Sequence, residues 1–372
     1  MRNKIESVQI LRGLAALSVV LFHYRFYLVP DGANTDIPDM LFSWGSIGVD
    51  LFFVISGFIM VYVTKAKPAG IKSSLDFIIN RLTRIIPTYY ILLLFAFLTG
   101  GAMSTFHYPD KTTNLISAMT FHPYLHQPAP LYIDENGMYN IRWTLNYELY
   151  FYFAFSVCLL FKKRLLALAA WFLAPVGAAY FLLPEITLSP SGYNFESVGA
   201  KFLTNPIILE FGIGVLTGYA YIALNKFMKS KYCMLSFACL IMISIGIIKH
   251  KIGGYNLLSA LSFSFLVLCF ALESEYIVKF TPRFFVTLGD ISFSWYLLHI
   301  PLASFIAGKV EKANPNAMHS TLGFTALLIA SILVAFLSHK FIEVKLTNKI
   351  RSSINKNILF RSKKTNQGTS AS

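Results

Sequence analysis

Residues Ser7 to Leu28 form an apolar stretch long enough to cross a bilayer, which takes about 20 residues, yet it encloses an arginine and a histidine. Arg12 and His23 are eleven positions apart. At ~100° per residue that is about three turns plus ~20°, so a helix sets both on one stripe, His23 roughly 16 Å above Arg12. Ionisable groups are costly inside a membrane and usually face a bundle interior or a cavity. The stretch therefore demands neighbouring helices that shelter those two side chains.

The rest of the chain supplies them. Hydrophobic residues make up 55% of the 372 and charged residues only 13%, with a mean hydropathy of +0.58. Soluble domains run nearer 25% charged, so the pattern predicts an all-α polytopic membrane protein. Apolar runs predict about ten transmembrane helices, at 8–28, 46–64, 83–100, 141–161, 165–183, 204–223, 233–248, 256–272, 284–307 and 320–339. The first run exceeds a signal-peptide core and further spans follow, so it is read as an uncleaved helix. The apolar piece Leu115 to Tyr124 is short and ends in a Pro-rich turn, which suits a re-entrant or interfacial segment.

Ten spans put both termini on one side. With that side cytoplasmic, 23 of the 32 Lys and Arg residues fall on inside segments and eight outside, as the positive-inside rule requires. The formal net charge of +14 is then topology and attraction to anionic membrane lipids; nucleic acid is excluded as a partner. Cys158, Cys233, Cys239 and Cys269 stand singly, with neither metal-type spacing nor a disulfide framework. No metal site is expected. The domain reading is one transmembrane unit over 1–347, followed by a basic tail, 348–372, whose Lys, Ser and Asn content predicts disorder.

Helical rise places the polar residues by depth. His23, Asp50, Glu148 and His299, from four different spans, all come out roughly 20–24 Å above the cytoplasmic boundary. A buried carboxylate and imidazole at one level can tune each other for general-base chemistry. A second layer is basic: Arg81 and Arg84, spaced i, i+3 before the third span, with Arg12 about 6 Å inside the same boundary. Arginine's planar fork suits that cluster to phosphate.

The motifs in order resemble the acyltransferase 3 family of integral membrane acyltransferases. Arg12 and His23 reproduce its Arg-x10-His arrangement. Trp44 to Phe58, containing Asp50 and Ser56, is similar to its second-helix signature, and Arg81 with Arg84 to its Arg-x-x-Arg. Trp143-Thr-Leu-Asn-Tyr-Glu-Leu-Tyr-Phe-Tyr152, Leu288 to His299 and His339-Lys-Phe-Ile-Glu343 resemble its later motifs. The family's last Glu is often followed by x-Pro, whereas Val344-Lys345 follow here.

The resemblance implies O-acylation in the bacterial cytoplasmic (inner) membrane. An acyl group, usually acetyl, passes from cytoplasmic acetyl-CoA to a hydroxyl of a polysaccharide or glycolipid acceptor, of the surface-polysaccharide or lipopolysaccharide O-antigen type. The donor phosphates would meet Arg12, Arg81 and Arg84. His23 would act as base or as transient acyl acceptor, supported by Glu148 or Asp50 and joined by His299. Trp143, Tyr147 and Ser56 would contact substrate, the aromatic rings by stacking on sugar. The competing class is a proton-coupled transporter or flippase using the His/Asp/Glu layer as a relay; the lack of an internal repeat and the basic cluster weigh against it.

Overall fold

The structure, a computed structural model, describes residues 4–183, 186–227 and 234–353. Among these residues it is all helix with no strand. Ten principal helices match the ten apolar runs: α1 Glu6–Tyr24, α2 Gly48–Thr64, α3 Ile71–Thr99, α4 Arg142–Cys158, α5 Arg164–Leu182, α6 Ile208–Leu224, α7 Met234–Ile248, α8 Leu257–Leu272, α9 Arg283–Val310 and α10 Thr321–Ser338.

Among the described residues, seven helical stretches are long and apolar enough to span a bilayer by themselves, those built on α1, α2, α3, α5, α6, α9 and α10. α8 reaches that length only with the helix Ser274–Phe280, from which it bends by 82°. α7 is 15 residues and α4 is 17. The shortfall in α4 has a sequence cause: Arg142, Asn146 and Glu148 occupy its first half.

Two glycine crossings set the bundle's centre. A Cβ on Gly289 of α9 would fall on the Gln9 carbonyl oxygen, and one on Gly13 would come within 2.8 Å of the Gly289 nitrogen. Gly57 of α2 and Gly214 of α6 meet backbone in the same way. Without a hydrophobic force between helices in lipid, close backbone approach supplies the attraction. The first crossing fixes α1 against α9, and so Arg12 and His23 against the α9 face that bears His299. Ser7 Oγ to Phe270 O (2.6 Å), Tyr24 Oη to His299 O (2.8 Å) and Trp295 Nε1 to Ser331 Oγ (2.8 Å) add interhelical hydrogen bonds. Because the atom struck is backbone, Gly289→Ala should cost about 1–3 kcal/mol, read as lost monodisperse yield and a lower Tm. Gly308→Ala, on the same helix but with open space around it, should behave as wild type.

The Leu115–Tyr124 piece lies partly in the helix Pro109–Thr120. That helix buries Asn114, Ser117 and Ala118, and Tyr89 Oη and Tyr90 Oη of α3 donate to the Ala118 and Met119 carbonyls. After α10 the chain continues through a π-helical turn, His339–Leu346, into helix that runs to Ser353. Of the expected tail, residues 348–353 are thus helical, tied to α3 where Arg351 donates to Asn80 O (2.7 Å) and Thr83 Oγ1 (3.2 Å). The remainder of the tail and Cys233 lie outside the described residues.

Candidate active site

One end of the bundle is rich in cations, and a cavity of about 340 Å³ penetrates from it. α1 contributes Gln9 and Arg12, α2 Phe52, Phe53 and Ser56, and α3 Arg81 and Arg84. Thr144, Glu148 and Tyr152 come from α4, Tyr296 from α9, and Lys67 and Arg351 stand in the same wall. The arginines share this space but not an environment. Arg12 Nη1 donates to Gln9 Oε1 at 3.2 Å. The Arg81 guanidinium lies 5.3 Å from the Tyr152 ring centre and 5.5 Å from that of Phe77. Arg84 spends its Nε and Nη2 edge on Glu343 Oε1, at 3.2 and 2.9 Å.

Glu343 is buried and also accepts from Ser294 Oγ at 3.1 Å, with His339 Nδ1 3.0 Å away. This fourfold anchorage explains why the π-helical turn tolerates Val344-Lys345 where a proline is common: side-chain bonds set the geometry there. Ser294 Oγ and His339 Nδ1, the latter four residues before Glu343, meet on one oxygen, Glu343 Oε2.

The two histidines meet. His299 Nε2 lies 3.2 Å from His23 Nδ1, which also lies 2.9 Å from the Val19 carbonyl oxygen. His299 Nδ1 is 2.6 Å from the Tyr296 carbonyl oxygen. The hydrogen-bond network assigns the protons: His299 Nδ1–H donates to that carbonyl, leaving its Nε2 to accept from His23 Nδ1–H. His23 Nε2 then carries a lone pair, the state a base or nucleophile needs.

The other two members of the expected layer stand elsewhere. Asp50 is fully buried and accepts from the backbone N–H groups of Tyr255 and Asn256, both at 3.0 Å, with Glu210 in hydrogen-bond contact beside it. It holds the start of α8, so it does not set the His23 tautomer. Glu148 lines the basic cavity and accepts from Tyr152 Oη. Neither bonds to His23 among the described residues; His299 and Val19 do. Rise along a helix says nothing of the face presented or of the neighbour met, which depend on packing.

Trp143 and Tyr147 are buried as well. Tyr147 Oη donates to Pro130 O at 3.0 Å and its ring packs 4.3 Å from that of Phe202, while Trp143 meets Tyr255 at 5.3 Å. No open ring face is left for a sugar, because Pro130 and Phe202 cover Tyr147 while Tyr255 and Phe53 cover Trp143. Ser56 lines the cavity.

Tyr296 was not singled out from sequence, yet it separates the cavity from the histidine pair. Its hydroxyl accepts from Thr144 Oγ1 at 2.8 Å and donates to Ile141 O at 3.2 Å. Its ring centre lies 5.9 Å from Phe52 on one side and 5.8 Å from His299 on the other. The i, i+3 spacing to His299 was a readable signal; the partners on α4 were not. Arg142 was counted merely as an outside charge. It is fully buried, its Nη2 donating to Ser117 Oγ (2.9 Å) and Asn114 O (3.3 Å).

Known proteins are similar to this chain along most of its length. The chain is 26% identical over 309 residues to the exopolysaccharide production protein ExoZ of Rhizobium meliloti (strain 1021), covering 78% of this chain and 85% of that protein. It is 23% identical over 382 residues to the peptidoglycan O-acetyltransferase OatA of Listeria monocytogenes serovar 1/2a. It is 24% identical over 382 residues to a putative O-acetyltransferase, SACOL0978, of Staphylococcus aureus (strain COL). Those two alignments cover 92% and 90% of this chain but only 56% of each relative. No solved structure matches the chain. The acyltransferase domain family matches residues 5–340, nearly the whole membrane bundle, and the chain therefore belongs to the acyltransferase 3 family.

Proposed function

We propose that this protein is an acyl-CoA-dependent O-acyltransferase of the bacterial cytoplasmic membrane. It moves an acetyl group to a hydroxyl of an extracytoplasmic polysaccharide or of its lipid-linked precursor. The observation that carries this reading is the pairing of a cavity lined by Arg12, Arg81, Arg84 and Arg351 with a histidine pair that lies across the Tyr296 ring from it. The arginines suit the donor's phosphates, and the apolar wall at Phe52 and Phe53 suits its thioester arm. His23 Nε2 takes the acceptor hydroxyl's proton as the oxygen attacks the thioester carbonyl. The C–S bond then breaks, and the imidazolium returns that proton to the departing thiolate. The His299 lone pair and the Val19 carbonyl hold the positive ring meanwhile. The acceptor class rests on the relatives named for exopolysaccharide and peptidoglycan.

The direct test is purified protein in lipid nanodiscs given radiolabelled acetyl-CoA and the host's surface polysaccharide. Label appearing as alkali-labile ester supports the reading, and its absence with active wild-type preparations defeats it. Donor binding has its own test. Arg81→Ala should raise the KM for acetyl-CoA roughly ten- to hundredfold, as loss of charge-assisted bonds does, and leave the acceptor KM unchanged. Arg81→Lys should recover only part, lacking the fork. An unchanged donor KM in Arg81→Ala would place the phosphates elsewhere.

A further inference from the structure

A second cavity, of about 550 Å³, opens on the same basic end, between the last turns of α2 and α6 and the first turn of α5. Its wall has two parts. The rim carries Lys65, Lys162 and Lys163, all exposed, and no acidic residue lines it among the described residues. Arg164 lies beneath the rim as a fixed post, its guanidinium donating to the carbonyl oxygens of Thr64 (3.1 Å) and Lys67. Its bonds close the end of α2, so the lysines supply the uncommitted charge, Lys65 standing 4.3 Å from the Tyr62 ring centre. The rest of the wall is apolar. Leu165 and Leu166 are 41% and 62% exposed there, flanked by Val61 and Ile222.

We infer that this cavity binds the phosphodiester headgroup of an anionic phospholipid, with one acyl chain along Leu165 and Leu166. Charge and shape both select that occupant. Like-signed lysines around a pocket attract a phosphodiester, and basic pockets between transmembrane helices take anionic headgroups. A zwitterionic lipid would set its own cation among these lysines. A free phosphate would satisfy the rim but leave the apolar wall bare, whereas an acyl chain covers it. The site is distinct from the donor cavity, although Lys67, bridged to Asp76 at 3.8 Å, borders both.

The test uses the full chain in phosphatidylcholine nanodiscs with and without phosphatidylglycerol, read by native mass spectrometry for retained lipid and by melting temperature. Wild type should retain phosphatidylglycerol and melt higher with it. Lys162→Gln/Lys163→Gln should lose affinity about thirtyfold. The charge-matched pair Lys249→Gln/Lys251→Gln, in the loop at the opposite end, should lose none. Leu166→Ser, which leaves the charge alone, should also weaken retention. Equal loss in both lysine pairs would mean diffuse attraction and overturn the site. Displacement of the lipid by millimolar inorganic phosphate with Leu166→Ser unaffected would make it a free-anion site, and would overturn the lipid assignment too.

Discussion

His23→Ala should insert and fold as wild type yet lose acyl transfer by about 10²–10⁴-fold, the usual contribution of a positioned general base. The ring is not part of the bundle's main packing, which is set by the Gly13–Gly289 crossing a few turns away. What the substitution removes is the Nε2 lone pair and the acceptor for a hydroxyl proton. His299→Ala should cost less by itself, since Val19 O still orients the His23 Nδ1–H. The double variant should be no worse than His23→Ala, because residues acting as one unit are not additive. The measurement is initial rate at saturating acetyl-CoA in nanodiscs, with expression and melting temperature as controls. Near-wild-type rate in a well-folded His23→Ala protein sinks the role.

The two histidines also mark how far the sequence could be read. Apolar run lengths located the principal helices among the described residues, since a bilayer imposes its thickness on composition, although only seven stretches, or eight with the bent pair, are long and apolar enough to span. The Arg12–His23 stripe was legible because both residues sit on one helix and 3.6-residue geometry relates them. Relations between helices were legible only in height. His23 and His299 share a level and do meet. Asp50 and Glu148, which helical rise puts at that level, do not join them: Asp50 accepts from backbone N–H groups before α8 and Glu148 from Tyr152 in the basic cavity. Trp143 and Tyr147 are expected from sequence to stack on sugar and are buried instead, Tyr147 against Pro130 and Phe202 and Trp143 against Tyr255, contacts between distant segments that no periodicity encodes. Arg84 carries a signature that suggested a phosphate ligand. Its bonds to Glu343, 259 positions away, show that part of its charge already serves the fold. Such long-range pairs are set by the global packing of the chain.

The largest effect of all should be one of sidedness. The cavity opens at the end of the bundle that gathers Lys67, Arg81, Arg84 and Arg351, and it stops at Tyr296, with His23 and His299 past that ring. A hydrophilic thioester cannot cross the hydrocarbon unaided. On the proposed acyl-CoA reading, with the basic end taken as cytoplasmic by the positive-inside rule, the donor should enter from that end and the acceptor should reach His23 from the other. Tyr296, held by Thr144 and Ile141, stands between the cavity and the histidine pair, and so partitions the route. In sealed inside-out vesicles, acetyl-CoA in the bath should label acceptor trapped in the lumen. In right-side-out vesicles, the same bath should give no label until the membrane is permeabilised. Tyr296→Ala should keep that asymmetry of labelling while raising acetyl-CoA hydrolysis in the absence of acceptor, because the ring that shields the histidine pair from the wet cavity is gone. Equal labelling of intact vesicles in both orientations would refute the through-membrane route, whatever His23→Ala had shown. Unchanged hydrolysis in Tyr296→Ala would leave the route standing and remove Tyr296 as its partition.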